Sequence, residues 1–307
     1  MLKYVIKRVL LLIPVLIGIT LMIFVVLDFS PQDPVMIALG AGEITTESYE
    51  AQKELMGLND PLLVRYGKYI LNVLQGNLGK SWFQGYNVSA EFAHRLPYSL
   101  MIGIYANVMS ILIGIPFGII AGVRHNKTTD VIVTFIALVL ASAPSFWLGM
   151  LLQVFISVRL GLLPVSGADT FRHLFLPSFV AASAMIAQNM RVTRTWLVDV
   201  IRSDYVRTAR AKGAREYTVI MKHALRNALL PVITTLGMHF ATIIGAVTIV
   251  ETVFAVPGAS IFLINAVKTG DIPIVMGCIV IVAIFVGSVN LLIDLIYAMV
   301  DPRVKLS

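Results

Sequence analysis

Charge is the first thing this chain lacks. Of its 307 residues only 13% are Asp, Glu, Lys or Arg, about half the share usual in soluble domains. With 58% hydrophobic residues and a mean hydropathy of +0.86, a water-soluble globule is excluded and a membrane protein is indicated. Cysteine is nearly missing. Cys278 is the single one and lies in an apolar run, so no disulfide can form within the chain, and no CxxC or Cys/His cluster builds a structural metal site. Catalytic signatures are missing as well: there is no GxxxxGK[ST] phosphate loop, no HExxH, no GxSxG and no carboxylate pair inside an apolar run. An enzyme is therefore not expected, nor any cofactor held by this chain.

Ionisable groups are scarce where the chain is most apolar. Asp28, Glu251 and Asp294 stand towards the ends of apolar runs, and His239 alone is near a centre. Ion-coupled carriers relay charge through groups at such depths. Energy for transport is thus expected to enter from outside the membrane. An ion-coupled secondary carrier is the runner-up reading, and a signalling or scaffold protein a more distant one.

What is present is long apolar runs. Val9–Leu27, Leu96–Val123, Val131–Val158, Leu174–Met190 with its flanks, Pro231–Val250 and Ile274–Val300 can each span a hydrocarbon core of about 30 Å as a helix. The fold class is accordingly all-α: a polytopic membrane protein with six transmembrane helices. Its expected divisions are a first helix (1–29), a polar loop or cap (30–95), a core of five helices (96–300) and a short tail (301–307). The first run follows Lys3, Lys7 and Arg8 but is longer than the 7–15 residues of a signal peptide's apolar region, and no small-x-small site follows it. It is read as a retained span. Lys and Arg gather on one predicted side, which places both termini in the cytoplasm and 30–95 outside. That asymmetry also accounts for the pI near 9.5 without a nucleic-acid partner.

The polar segment Ser30–Arg95 carries helix signals at Thr45–Met56 and Pro61–Leu74, each with a suitable starting residue. It therefore reads as an external loop containing short helices. Pro116 and Pro144 are expected to bend their spans. Gly114, Gly118 and Gly122, spaced by four, are expected to let two helices approach closely.

The basic residues concentrate in one place. Between Arg191 and Arg226 there are nine Lys/Arg and three acids, an excess of six in a chain of net charge +7. Within 203–226 the apolar residues Val206, Ala209, Tyr217, Ile220, Met221, Ala224 and Leu225 recur at three- and four-residue intervals, which predicts two short amphipathic helices broken at Gly213. Asp204-Tyr205-Val206-Arg207-Thr208-Ala209-Arg210-Ala211-Lys212-Gly213, with Arg215 and Glu216 and then His223-Ala224-Leu225-Arg226-Asn227-Ala228, resembles the signature loop of ABC-importer permeases of the dipeptide, oligopeptide and nickel branch. Arg207 and Arg226 stand where many importer permeases carry Glu and Pro. Further stretches resemble the same branch: MGLNDP, GNLGKS, Arg95-Leu96-Pro97-Tyr98-Ser99-Leu100, Leu163-Pro164-Val165-Ser166-Gly167, Glu251 to Gly258 and Asp301-Pro302-Arg303.

The resemblance implies a type I ABC-importer permease fold in a bacterial cytoplasmic (inner) membrane. It implies a homologous second permease subunit, two cytoplasmic ATPase subunits that bind ATP and magnesium, and an extracytoplasmic substrate-binding protein. The loop would dock on the ATPase. Neutral polar residues of the spans, Asn107, Ser142, Gln153, Gln188, Asn189, Thr235, His239 and Thr242, are the candidates for a translocation path. A path without fixed charge suits short peptides of varied side chain. Nickel or a metal chelate is the alternative cargo, because His239 follows Met238 and imidazole and thioether both ligate transition metals.

Overall fold

The computed structural model describes residues 2–31, 33–40 and 44–300, with the side chains of 2, 3, 230, 234 and 296–300 left aside. The expected tail 301–307 lies outside the described residues. In chain order the helices are α1 (Leu2–Asp28), α2 (Pro34–Leu39), α3 (Thr46–Leu55), α4 (Leu62–Leu74), α5 (Val88–Met109), α6 (Ile115–Val123), α7 (Thr128–Ser142), α8 (Ser145–Leu152) and α9 (Phe171–Ile201). They continue with α10 (Asp204–Ala211), α11 (Glu216–Thr218), α12 (Leu225–Ala228), α13 (Leu230–Ala241), α14 (Ile243–Ala246), α15 (Thr248–Val253), α16 (Ala259–Thr269) and α17 (Ile272–Val300). No strand occurs among the described residues; Lys80 and Asn87 make one isolated bridge.

Three helical stretches are long and apolar enough to cross a membrane unbroken: Tyr4–Asp28, Val88–Val123 and Ile272–Leu295. Two more are bent pairs, Thr128–Ser142 with Ser145–Arg159 at 102° and Pro231–Ala241 with Ile243–Val253 at 70°. The sixth is α9. Its 31 residues reach about 46 Å at 1.5 Å per residue, but Arg172, Gln188, Asn189, Arg191 and Arg194 dilute its hydropathy.

The two prolines behave differently. Ala143, before Pro144, is extended at φ −70°, ψ 121°, the conformation that a following proline ring imposes. The helix therefore stops and restarts at a steep angle. Pro116 instead sits in the first turn of α6, after a π-helical stretch at Ser110–Gly114, and Val88–Val123 stays one span. The wider i→i+5 turn accommodates the missing proline N–H without a break.

The chain divides into two compact units, 1–97 with 258–307 and 98–257. In the first, α1 lies along α17. Arg8 pairs with Asp294 at 2.9 Å, Tyr4 donates to the same carboxylate at 2.7 Å, and Gly287 is so close to Leu12 that a Cβ there would meet its Cδ2 at 2.6 Å. α4 rests on α1 through Phe24, Tyr66 and Tyr69, and Arg65 reaches Asp28 at 2.6 Å. Thr45 and Ser48 form the capping box that starts α3, and Asp33 caps α2. Asp271, 1% exposed, accepts from Ser81 Oγ at 2.6 Å and from the Trp82 N–H at 3.3 Å. This ties the start of α17 to the end of the polar segment.

The second unit is built around α9. α6 lies directly on it because Gly114, Gly118 and Gly122 have no side chains to hold it away: a Cβ at Gly118 would stand 2.8 Å from the Met190 carbonyl oxygen. The close approach expected from the glycine spacing is therefore present. α7 packs on the same helix through Val133 and Ala137, against Ala182, Ile186 and Met190. A second core joins Ile102, Leu176, Val180, Val250 and Phe254.

Candidate functional site

The basic loop forms where α9 ends. Ser203, extended at φ −70°, ψ 151°, turns the chain into α10. The apolar stripe buries Val206 with Val219, Ala224 and Ala228 against Leu197 of α9, and Ile119 and Ile201 pack at its edge. Opposite this stripe the face is polar, with Asp204, Tyr205, Arg207, Thr208 and Arg210 exposed and Ala209 half-buried at the margin. Ala211, Lys212 and Gly213 complete the exposed turn.

Gly213 adopts φ +80°, a left-handed conformation that costs an L-residue about 1–2 kcal/mol. The Gly213 N–H donates to Arg210 O at 2.9 Å and the Ala214 N–H to Ala209 O at 3.3 Å, closing the end of α10. Arg215 precedes α11, and a π-helical stretch at Val219–Ala224 joins α11 to α12. Both predicted amphipathic helices thus exist, the second as a composite from Glu216 to Ala228.

Two contacts lock the pair. Arg210 donates to both carboxylate oxygens of Glu216, at 2.7 and 3.1 Å. The Arg210 guanidinium holds the Glu216 carboxyl below its ordinary value, and the same pairing raises Arg210. Asn227 Nδ2 donates to the Tyr205 hydroxyl at 2.8 Å. Arg207 is three-quarters exposed and its contact with the almost fully exposed Asp204 is a loose 3.8 Å, so it remains available to a partner.

The path candidates separate into groups. Asn189 Nδ2 donates to Ser110 Oγ at 3.1 Å, Ser110 Oγ donates to Asn107 O at 2.8 Å, and Thr235 Oγ1 lies 3.3 Å from Asn189 Oδ1. His239 Nε2 is 3.1 Å from Gln188 Oε1. Asn107 Oδ1 and His239 Nδ1 are buried without a partner. Gln153 is elsewhere: its Nε2 donates to Val165 O and Val253 O, both at 3.0 Å, so it clasps two chain segments. Ser142 bonds the carbonyl of Val139 and is exposed at the end of α7, and Thr242 bonds those of Met238 and His239 at the bend before α14. Met238 is 61% exposed whereas His239 is buried; adjacent in sequence, they do not face one site.

Two buried carboxyl groups stand out beyond the sequence reading, which placed Glu251 only at the end of an apolar run and did not single out Asp130. Glu251, fully buried, accepts from Ser99 Oγ. Asp130, 3% exposed, is gripped by Arg194 through Nε and an NH2 group. The partners lie 152 and 64 residues apart, a separation that no local pattern signals.

Residues 114–306 match the family model of the binding-protein-dependent transport system inner membrane component, and residues 1–103 match its N-terminal companion. The chain belongs to this family. It is an integral membrane permease subunit of an ABC importer, a transport subunit and not an enzyme. It is 38% identical to the oligopeptide transport system permease protein AppB of Bacillus subtilis (strain 168), with 99% of this chain and 100% of AppB aligned. It is 38% identical to the glutathione transport system permease protein GsiC and 35% identical to the dipeptide transport system permease protein DppB, both of Escherichia coli (strain K12), over 99% of each chain. The MetNI methionine ABC transporter in an inward-facing conformation aligns at 18% identity, covering 69% of this permease and 96% of that chain with a TM-score of 0.57. That likeness shows the type I importer permease fold.

Proposed function

We propose that this permease carries short peptides, di- and oligopeptides or small peptides of glutathione type, into the cell in an ATP-driven importer. The observation that carries the reading is the run of buried amides and hydroxyls at Asn107, Ser110 and Asn189, joined by half-buried Thr235, with Gln188 and His239 nearby. These groups offer both donors and acceptors and no fixed charge, which is what peptide backbones of varied side chain require. Asn107 Oδ1, buried without a partner, is an acceptor that a peptide N–H would satisfy once the surrounding helices part. The names of the full-length relatives agree with this cargo.

In this reading a homologous permease completes the channel, and an extracytoplasmic binding protein delivers the peptide. Two cytoplasmic ATPase subunits hold ATP and magnesium. Both termini face the cytoplasm, residues 30–95 face outwards, and the exposed face of 203–226 docks on an ATPase.

Deletion of the gene tests the cargo. Growth on di- and tripeptides as the sole source of a required amino acid is expected to fail and to return on complementation. Unchanged peptide use together with lost nickel accumulation would replace the reading by the metal alternative. Proton- or sodium-driven uptake by the purified chain alone would replace it by the secondary carrier.

A further inference from the structure

Asp130 joins three pieces of the second unit. Its Oδ1 accepts from Arg194 Nε at 2.5 Å and lies 3.4 Å from Thr134 Oγ1; its Oδ2 accepts from an Arg194 NH2 group at 2.8 Å and from the Asn126 N–H at 2.9 Å. Asn126 takes a left-handed φ of 62° to present that N–H. The same Arg194 NH2 group lies 3.2 Å from His125 Nδ1. The tight turn before α7, the first turns of α7 and the last third of α9 therefore meet at one carboxylate. A two-pronged guanidinium–carboxylate pair fixes orientation as well as distance.

The position of this clamp on α9 matters. Arg194 is two helical turns before Ile201, where α9 ends, and only Arg202 and the extended Ser203 separate α9 from α10. Around the clamp the contacts are backbone-close: Gly118 abuts Met190 and Thr193, and Gly122 abuts Leu197, the residue on which Val206 and Val219 of the loop also pack. Beside the loop a cavity of about 150 Å³ is lined by His125, Arg202, Arg210 and Glu216. By contrast, α7 leads directly into the 102° bend at Ala143–Pro144. One end of the bent pair is thus fastened to the element that carries the loop.

The geometry points to Asp130 and Arg194 as positioning residues for coupling: they make the start of α7 follow α9 when the loop is displaced, so that loop motion reaches the bent pair α7–α8 as well as α13. This rests on the reading that 203–226 docks on an ATPase. A close-packed interior moves in discrete arrangements rather than by continuous bending. The clamp therefore decides which helices belong to the moving block.

The test uses the complete importer in proteoliposomes, with its ATPases and a peptide-loaded binding protein. Asp130→Asn combined with Arg194→Gln removes both charges together and leaves no unpaired ion. The expected result is normal assembly, basal ATP hydrolysis within about twofold of wild type, and a fall of about tenfold in peptide carried per ATP, within the usual range of coupling between sites. Arg194→Lys keeps the charge and loses the fork; it is expected to lower the same ratio by a smaller factor, and it decides the matter if the double variant does not assemble. An unchanged ratio of peptide to ATP in whichever variant assembles would overturn the proposal and leave the clamp a static brace. Tyr217→Cys in a Cys278→Ala background separates this outcome from failure of the docking reading. Cross-linking of position 217 to an ATPase with an unchanged ratio refutes the clamp alone, whereas no cross-link in the otherwise wild-type complex refutes the docking on which it rests.

Discussion

Gly118 of α6 lies against the backbone of α9: a Cβ there would stand 2.7 Å from Thr193 Cβ and 2.8 Å from the Met190 carbonyl oxygen. A carbonyl in the middle of a helix cannot swing aside as a flexible side chain can. Gly118→Ala should therefore push the two helices apart and cost about 1–3 kcal/mol, the usual penalty for overpacking. Thermal unfolding of the purified permease should show the loss. Gly67→Ala in α4, where a Cβ meets nothing within 4 Å, is the control and should be neutral or slightly stabilising. Equal stability of the two variants would contradict the close packing.

Ser99 and Glu251 form the second buried relationship. Removing the Ser99 hydroxyl deprives a fully buried carboxylate of a donor, at a cost of about 1–3 kcal/mol. Ser99→Ala should lower the midpoint of unfolding. Glu251→Gln keeps an acceptor facing Ser99 and should lower it less. The reverse order would mean that the carboxylate charge, not the hydrogen bond, dominates this site.

Much of this architecture was legible from hydropathy and punctuation. Val9–Leu27 announces α1, Thr45 and Pro61 announce α3 and α4, and the three- and four-residue spacing around Gly213 announces both loop helices. Other features were hidden for physical reasons. A hydropathy window averages along the chain, so it reads α7 and α8 as one run; Pro144 signals a bend there, but not that the bend reaches 102°. α16, with 11 residues, is too short to span and too apolar to look like a loop. Asp130 and Arg194 pair through the tertiary fold alone. Gln153 looked like a path residue because its amide is polar in an apolar run, but folding spends that amide on two carbonyls.

The proposed orientation rests on the Lys/Arg asymmetry and is directly measurable. Ala51 of α3 and Ala211 of α10 are both exposed, so single cysteines there in a Cys278→Ala background should accept reagents without disturbing packing. An impermeant thiol reagent applied to cells with a permeabilised outer layer and an intact inner membrane should label position 51 and spare 211. Labelling of 211 alone would invert the topology.

Two carboxyls outside the spans carry opposite pH signs. Arg210 lowers Glu216, so the contribution of that pair is present above the unfolded carboxylate pKa and is lost as pH falls through the lower folded value. Burial raises Asp271 against its hydrogen bonds, so its contribution is full below the unfolded pKa and declines as pH rises through the higher folded value. The Arg210–Glu216 pair is largely exposed, and such pairs are worth only about 0.2–1 kcal/mol. Glu216→Gln should accordingly change stability little and remove part of the acid sensitivity of the loop, read by hydrogen exchange at pH 3–5. Asp271→Asn should flatten the decline in stability of the first unit above the usual carboxylate range. A larger loss of stability at pH 7 in Glu216→Gln than in Asp271→Asn would reverse this ranking.

The turn at Gly213 allows the loop to be perturbed without touching its packing. No heavy atom lies within 4 Å of the place where a Cβ would go, yet φ is +80°. A substitution there acts through the backbone alone. Asn tolerates the left-handed region best after Gly, Ala pays about 1 kcal/mol or more, and a β-branched residue pays most. Uptake should therefore fall in the order Gly213, Asn, Ala, Val, with Val losing at least tenfold if the strain is relieved by rotating α10 against α11 (about 1.4 kcal/mol per factor of ten). Membrane abundance should stay constant across the series, because the buried seam of Val206, Val219 and Leu197 is not altered. Stimulation of ATP hydrolysis by the loaded binding protein should fall in parallel with uptake, since both depend on the angle between the loop helices. Wild-type uptake in Gly213→Val would show that this angle is not transmitted, and that the basic loop is a solvated connector at the membrane edge.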